Sequence, residues 1–400
     1  MTPRAALPVI LALTCATPVP AAPSQILKVG VFRTLNVQSA VLRSSSGLRV
    51  ESDNSAALRV EPGRRVVVES RGQDVAVRVG GGAPVRARTV VLTAPGGTVS
   101  IQVNRVSREL RGRLRFAARS GALSIVNEVP LEDYVEGVLA GEMPSDWPME
   151  ARKAQAIVIR SLALSRLGAH AREGFDLCDT THCQVYRGAG VGSTASRAAA
   201  RATAGQVVLW RGRPIEALYC STCGGMIAPG FGGRSVPESP YLAARRDVLN
   251  GADACKDSPH YVWKASVASE RLARALESDR RTRAGLPIRD VRVTSRDASG
   301  RAASVEIAAG RTVEVDGYVF WTILCRALGW GTVKSASFQV RRNAGTYIFE
   351  GRGLGHGVGL CQWGAKKRAE SGWSCRAILD FYYPGCRVGA AALRKTQART

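Results

Sequence analysis

Aromatic residues make up only 6% of this 400-residue chain, and histidine occurs four times. So few rings leave little with which to stack bases, and no helix-turn-helix or zinc-finger spacing appears. Nucleic acid is therefore not the expected partner, although the chain is short of acids and carries a formal net charge of +24. The basic residues are spread from Arg4 to Arg399 rather than clustered. No run reaches the roughly 18 uncharged apolar residues needed to cross a bilayer, so no transmembrane segment is expected. There is no internal repeat. From Ile26 to about Ala118 there is neither histidine nor cysteine, which leaves that stretch without the usual vocabulary of metal sites and nucleophiles.

What remains is the composition of a globular protein, with 45% hydrophobic and 22% charged residues. The start has the order of a secretory signal peptide: Arg4, an apolar run from Ala5 to Leu13, then the small residues Ala21 and Ala22. Pro18, Pro20 and Pro23 oppose reading it as a buried helix. Residues 1–22 are expected to be a signal peptide and the chain to be exported, to the periplasm or the cell wall and beyond. A basic exported protein most often faces an anionic polymer or a membrane surface. Cys15 is expected to leave with the signal, so of the ten cysteines nine stay. Outside the cytoplasm these favour disulfides, and an odd number leaves at least one free, metal-bound or paired with another chain.

Residues 23–118 alternate apolar and polar side chains in short runs broken by glycine and proline, as in Leu58–Glu61, Arg65–Glu69, Val75–Val79 and Val90–Leu92. Period two reads as antiparallel strands. Near Gly121 the character changes: Leu123–Asn127 reads as a strand, and helices begin after it. Val291–Val315 reads as a hairpin turning at Asp297–Gly300. The expected fold class is α+β, with a β-rich region over 23–118, a mixed domain over 119–390 and a loose basic tail over 391–400.

The segment PLEDYVEGVLAGEMP (130–144) is helical in pattern. At about 100° per residue, Leu131, Tyr134, Val135, Val138 and Leu139 form one apolar arc. Glu132, Asp133 and Glu136 fall opposite, near the helix N-terminus, and read as ordinary solvated acids. Glu142 lies close to the centre of the arc and at the end of the helix, because Pro144 disfavours helix at Met143. Desolvation and the negative end of the helix dipole should both raise its pKa, the property of a general acid. The competing reading is a frayed end with Glu142 in solvent or paired with arginine. The next helix should start at Ser145 or Asp146, with Pro148 in its first turn, and stop at Gly168. Ala154, Ile157, Val158, Ser161 and Leu164 would form its inner face.

The stretch VPLEDYVEGVLAGEMPSDW (129–147), followed by ARKAQAIVIRSLAL (151–164), resembles the signature of the stage II sporulation protein D (SpoIID/LytB) family. Further matches are CDTTHCQVY (178–186), STCGG (221–225), Lys334 and Ser335 with Phe338, and GRGLGHGVGLCQWGA (351–365), in the family's order over about 105–388. The resemblance implies a SpoIID-like catalytic domain and a lytic transglycosylase acting on peptidoglycan glycan strands stripped of stem peptides. It places the catalytic acid at Glu142 and needs no cofactor for the chemistry. Gln184, Tyr186, Ser221, His356 and Gln362 would be sugar contacts, against a purely structural histidine at 356. Relatives that modify wall amidases imply the rival reading, a non-catalytic wall-binding module or amidase enhancer with wall amidases as partners.

The glycines at 351, 353, 355, 357 and 359 allow close approach of backbone to a ligand or another strand. Their spacing is not that of a dinucleotide loop, and no Walker lysine accompanies them. Cys178, Cys183, His182 and His170 could hold a structural zinc, as some family members do with one histidine and two cysteines. A short Cys178–Cys183 disulfide is the alternative, and the favoured one. Cys220 and Cys223 have Cys-x-x-Cys spacing without a following helix to lower a thiol pKa. The family commonly has histidine where this chain has Cys220. Cys223 with Cys255, and Cys375 with Cys386, are the other expected disulfides, with Cys220, Cys325 and Cys361 unassigned. A Cys–His hydrolase using Cys220 or Cys361 with His356 lacks a third, orienting residue.

Overall fold

The computed structural model describes residues 25–190, 194–230 and 239–391. The expected signal peptide and all but the first residue of the tail lie outside them. The described residues form seven α-helices and many, mostly antiparallel, strands, an α+β architecture. The helices are α1 (Leu131–Glu142), α2 (Met149–Ser165), α3 (Thr194–Ala202), α4 (Ser269–Glu277), α5 (Gly317–Leu328), α6 (Gln362–Glu370) and α7 (Cys375–Tyr382). No described helix is long and apolar enough to cross a membrane.

The alternating runs do become strands. Val66–Arg71 and Asp74–Val79 pair within a six-stranded sheet, while Thr89–Thr93 and Ser55–Val60 belong to a seven-stranded one. Inward residues of both sheets, among them Val68, Val77, Leu92 and Ile101, share one hydrophobic core. The expected boundary at 118/119 cuts a hairpin: Arg113–Arg119 pairs with Ala122–Pro130 in register from Arg113 opposite Glu128 to Arg119 opposite Ala122. Ala122–Pro130 also pairs with Ile26–Val31, which in turn takes Leu177–Cys178 as a parallel edge strand. The long strand is thus shared, and it leads directly into α1.

The apolar arc of α1 is buried as its spacing predicts: Leu131, Tyr134, Val135, Val138 and Leu139 all join the core of the β-rich region. At about 1.5–3 kcal/mol for each fully buried large aliphatic side chain, this arc outweighs the cost of bringing one carboxyl to the edge of the core. Helix α2 is buried on nearly every side and starts later than expected. Pro148 is its N-cap and Met149 its first residue, and it ends at Ser165 rather than Gly168. Ala154, Ile157, Val158 and Ser161 are buried, Leu164 only partly.

The expected 119–390 unit has two further cores. One surrounds α2, α6 and α7. The other lies between Trp263 and Phe349 and carries α4, α5 and two three-stranded sheets. The hairpin expected over Val291–Val315 is instead a three-stranded meander, Asp290–Arg296, Ala302–Ala308 and Thr312–Asp316, which makes up the whole of one of these sheets. Asp297 closes its first turn by accepting from the amides of Ser299 and Arg301.

Candidate active site

Helix α1 stops at Glu142, where Met143 turns to extended backbone ahead of Pro144. The half-buried carboxyl faces groups brought from three distant segments. Gln362, the first residue of α6, donates from Nε2 to Glu142 Oε2 at 3.4 Å. The backbone at Val185 also hydrogen-bonds to the carboxyl, and the Tyr219 hydroxyl lies beside it, its one hydrogen shared with Gln184 Oε1 at 3.3 Å. Arg187 acts on the carboxyl through charge alone, without a hydrogen bond. Burial is the largest influence and raises the Glu142 pKa above the ordinary carboxylate value; the hydrogen bonds and Arg187 pull back only part of the way. Burial, with Glu142 beside it, likewise lifts Tyr219 well above the normal phenol range, so Tyr219 stays a neutral donor.

Tyr219 reaches this place through a short parallel pairing of Tyr219–Cys220 with Leu360–Cys361. The glycine run serves the same packing. Its backbone meets another strand: the amides of Thr222 and Leu354 each donate to the other's carbonyl, and Ala228 donates to Gly357. A Cβ on Gly359, at φ +72°, would sit 1.9 Å from the Leu218 carbonyl oxygen, and one on Gly353 would sit 2.5 Å from that of Thr222. Ser335 fastens the run by donating to the Arg352 carbonyl at 2.6 Å.

Of the expected sugar contacts, Gln362 does lie against Glu142. Gln184 and Tyr186 are buried beneath the site instead. Gln184 donates to the Tyr134 hydroxyl at 3.2 Å and accepts from Tyr219 at 3.3 Å. Tyr186 donates to Asn127 at 2.9 Å and stacks on Tyr134. Polar residues inside a core must be hydrogen-bonded, and these are, so their role is to position Tyr219 and α1. Ser221 is half-buried, and its carbonyl accepts from Trp363. His356 is half-buried, with Nδ1 accepting from the Val358 amide at 3.0 Å.

The motif pattern missed Tyr219, Arg187 and an aromatic pair. Trp147 and Trp363 meet edge to face at 5.3 Å, and Lys366 stands over both rings. Their adjacency to Glu142 and Gln362 in the matched segments was the available signal.

The other acids of α1 differ from expectation. Glu136 is buried and accepts from Arg111 and Arg197 at 3.2 and 3.3 Å. Asp133 also takes Arg111, and Glu132 is bidentate with the fully buried Arg160. They are ion-paired rather than merely solvated, because arginines from neighbouring elements close over the helix's outer face.

All nine described cysteines are free thiols, so none of the three expected disulfides is formed. Cys375 opens α7 and Cys386 follows its end, with no bridge between them. Around Cys178 and Cys183 both imidazoles converge instead. His170 Nε2 lies 3.4 Å from the Cys183 sulfur, and His182 Nδ1 lies 3.7 and 3.6 Å from the sulfurs of Cys178 and Cys183. The four ligand atoms all lie within 4.8 Å of one another. Two thiols and two imidazoles suit tetrahedral zinc, and Glu173 at 2.6 Å from His170 Nδ1 is the carboxylate that orients such a ligand. The residues fit the ion. The Cys–His hydrolase has no such support: Cys361 is fully buried, which raises its thiol pKa, and Cys220 is buried too.

Residues 119–210 match a family described as Stage II sporulation protein, and residues 239–359 match one described as a domain of unknown function. An uncharacterized protein of Brachyspira hyodysenteriae is 31% identical over 283 residues, covering 70% of this chain and 72% of the relative. The Stage II sporulation protein D of Bacillus subtilis is 28% identical over 66% of this chain and 76% of its own length. The Amidase enhancer of the same organism is 29% identical over 63% of this chain, and only 39% of that longer protein is covered.

Proposed function

This chain belongs to the stage II sporulation protein D family, and on that premise we propose that it is an exported lytic transglycosylase. It cleaves peptidoglycan glycan strands, with Glu142 as its single acid and base. The observation that carries the reading is the environment of Glu142: a carboxyl with a raised pKa, met by the neutral donor of Gln362, with the neutral Tyr219 hydroxyl beside it and no ion pair to it among the described residues. Such a group keeps its proton where a solvated glutamate has lost it.

Protonated Glu142 gives its proton to the glycosidic oxygen as the bond from C1 of N-acetylmuramic acid breaks. The carboxylate then takes the proton of the C6 hydroxyl as that oxygen bonds to C1, which closes the 1,6-anhydro ring and returns Glu142 to its starting state. Sugar oxygen replaces water as the nucleophile, so no second carboxylate has to position one, in contrast to hydrolytic glycosidases. Gln362 and Tyr219 stabilise the carboxylate formed in between. Trp363, half-buried beside Gln362, offers an apolar face to a sugar ring. Zinc held by His170, Cys178, His182 and Cys183 would brace the loop that continues to Val185 and Arg187.

Incubation of the purified chain with denuded glycan strands, followed by mass spectrometry, should release fragments with 1,6-anhydro-N-acetylmuramic acid ends. Products ending in a free reducing sugar would refute the proposal. The likeness to an Amidase enhancer supports a second reading, a wall-binding module that stimulates an amidase. Glycan binding with no cleavage, together with faster release of stem peptides when a wall amidase is added, would select it.

A further inference from the structure

Behind Gln362, four buried groups from four separate parts of the chain meet at one point. They are Cys223, in the loop after Tyr219–Cys220, then Asp247, Cys255, and Cys361 at the N-cap of α6. Cys223 is 1% exposed and the other three are fully buried. Their ligand atoms all lie within 4.8 Å of one another. The sulfurs of Cys223 and Cys255 are 3.7 Å apart, and Cys223 Sγ is 3.2 Å from Asp247 Oδ2. Two sulfurs bonded to one tetrahedral zinc at ~2.3 Å stand roughly 3.8 Å apart, whereas a disulfide needs about 2.05 Å. A Cys223–Cys255 bridge would also leave the Cys361 sulfur and a carboxylate oxygen pointing at it without purpose.

Donors surround the cluster, apart from the Ser221 carbonyl 3.8 Å from the Cys361 sulfur. The Cys361 sulfur accepts from the amides of Cys223 and Gly364 at 3.2 and 3.4 Å. Asp247 Oδ1 is held by Arg368 Nη1 at 2.6 Å, and the Tyr382 hydroxyl reaches both carboxylate oxygens at 3.2 and 3.1 Å. That leaves Oδ2 turned toward the sulfurs. Gly364 makes room for it, since a Cβ there would lie 2.4 Å from that oxygen. Partners of this kind orient metal ligands and offset their charge.

We propose that Cys223, Cys255, Cys361 and Asp247 form a second zinc site, separate from the His170/Cys178/His182/Cys183 cluster. Thiolate and carboxylate donors in a closed tetrahedral set suit a structural Zn²⁺, bound with release of the thiol protons. Its effect is mechanical: it pins Cys361, the residue before Gln362, to the segment carrying Asp247 and Cys255. The site does not depend on the transglycosylase reading, and its test does not use activity.

The full chain, purified without a tag, is assayed for metal as the Cys178→Ser/Cys183→Ser variant, which lacks the other cluster. One zinc per chain is expected, falling to none when Cys255→Ser is added. A folded double variant free of zinc overturns the site. The unmodified chain gives a reading that needs no variant. Cys223, Cys255 and Cys361 should resist alkylation until a chelator is added and then react as free thiols. Recovery of a Cys223–Cys255 disulfide, or alkylation indifferent to the chelator, also overturns it.

Discussion

The two ends of helix α1 carry acids in opposite states. At its N-terminal half, Glu132, Asp133 and Glu136 are each met by arginine, and Glu136 is buried only because Arg111 and Arg197 accompany it. At its C-terminal end Glu142 enters a desolvated place where the groups hydrogen-bonded to it are neutral, and burial raises its pKa above the ordinary carboxylate value. One helix therefore contains both ways of burying a carboxylate, pairing it or protonating it. The helix dipole acts in the same sense at each end, favouring the charge at the first and opposing it at the second. The difference separates acids that hold the fold from the one suited to chemistry.

The largest expected effect comes from abolishing the proton at the second end. Glu142→Gln should lower release of anhydro-ended fragments by about 10²–10⁴-fold while leaving glycan binding in a pull-down unchanged. Residual cleavage near wild type would remove Glu142 from its role. Activity of the unaltered protein should fall as pH rises through the raised pKa of Glu142, because the acid form is the one that starts the reaction. The stability counterpart follows the same sign. A carboxyl with a raised folded pKa costs stability as pH climbs past the unfolded value of about 4.3. Glu142→Gln should therefore match the wild type in acid and melt higher above that range.

At the paired end the same chemical change should act on the fold alone. Glu136→Gln leaves two arginines without their shared carboxylate and should cost about 1–3 kcal/mol in denaturant unfolding. Turnover per folded molecule should stay at the wild-type rate. A loss of turnover in the folded variant would erase the contrast between the two ends.

Gln362→Ala removes a donor that favours the carboxylate. Turnover should drop about tenfold, the order of one lost hydrogen bond to a charged group. The alkaline limb of the pH profile should move to higher pH, and a limb that moves down would contradict the geometry. The smallest effect is expected from Arg187→Ala, whose influence on Glu142 is purely Coulombic. The limb should shift slightly upward in dilute buffer, and the shift should shrink in 1 M salt, where the Debye length is about 3 Å.

Much of this fold is legible in local patterns. The alternating runs before Gly121 became strands because period two puts one face inward, and the arc of α1 was buried residue for residue. Pro144 ended the helix at Glu142, as backbone sterics require. Less legible were the partners. Glu136 reads as solvated on a helical wheel, since nothing on the helix itself shows that Arg111 and Arg197 will cover it. Gln184 and Tyr186 sit in a matching motif and read as contacts, yet the fold turns them inward to Tyr134 and Asn127. The cysteines suggested bridges by number and spacing, whereas the structure gathers five of them, with two histidines and one aspartate, into two four-ligand clusters.

The chain by itself determined the family, the α+β class and the position of one carboxyl on the apolar side of a helix end, because spacing along a helix or strand is a local property. Only the tertiary structure decided what that carboxyl touches. Gln362 is 220 positions away from Glu142, and Cys361 is 138 from Cys223. Those meetings depend on how three cores pack and on a two-residue pairing between Tyr219–Cys220 and Leu360–Cys361. A pKa is set by the sum of desolvation and nearby donors in space, so it comes into being only when the folded chain has closed around the group.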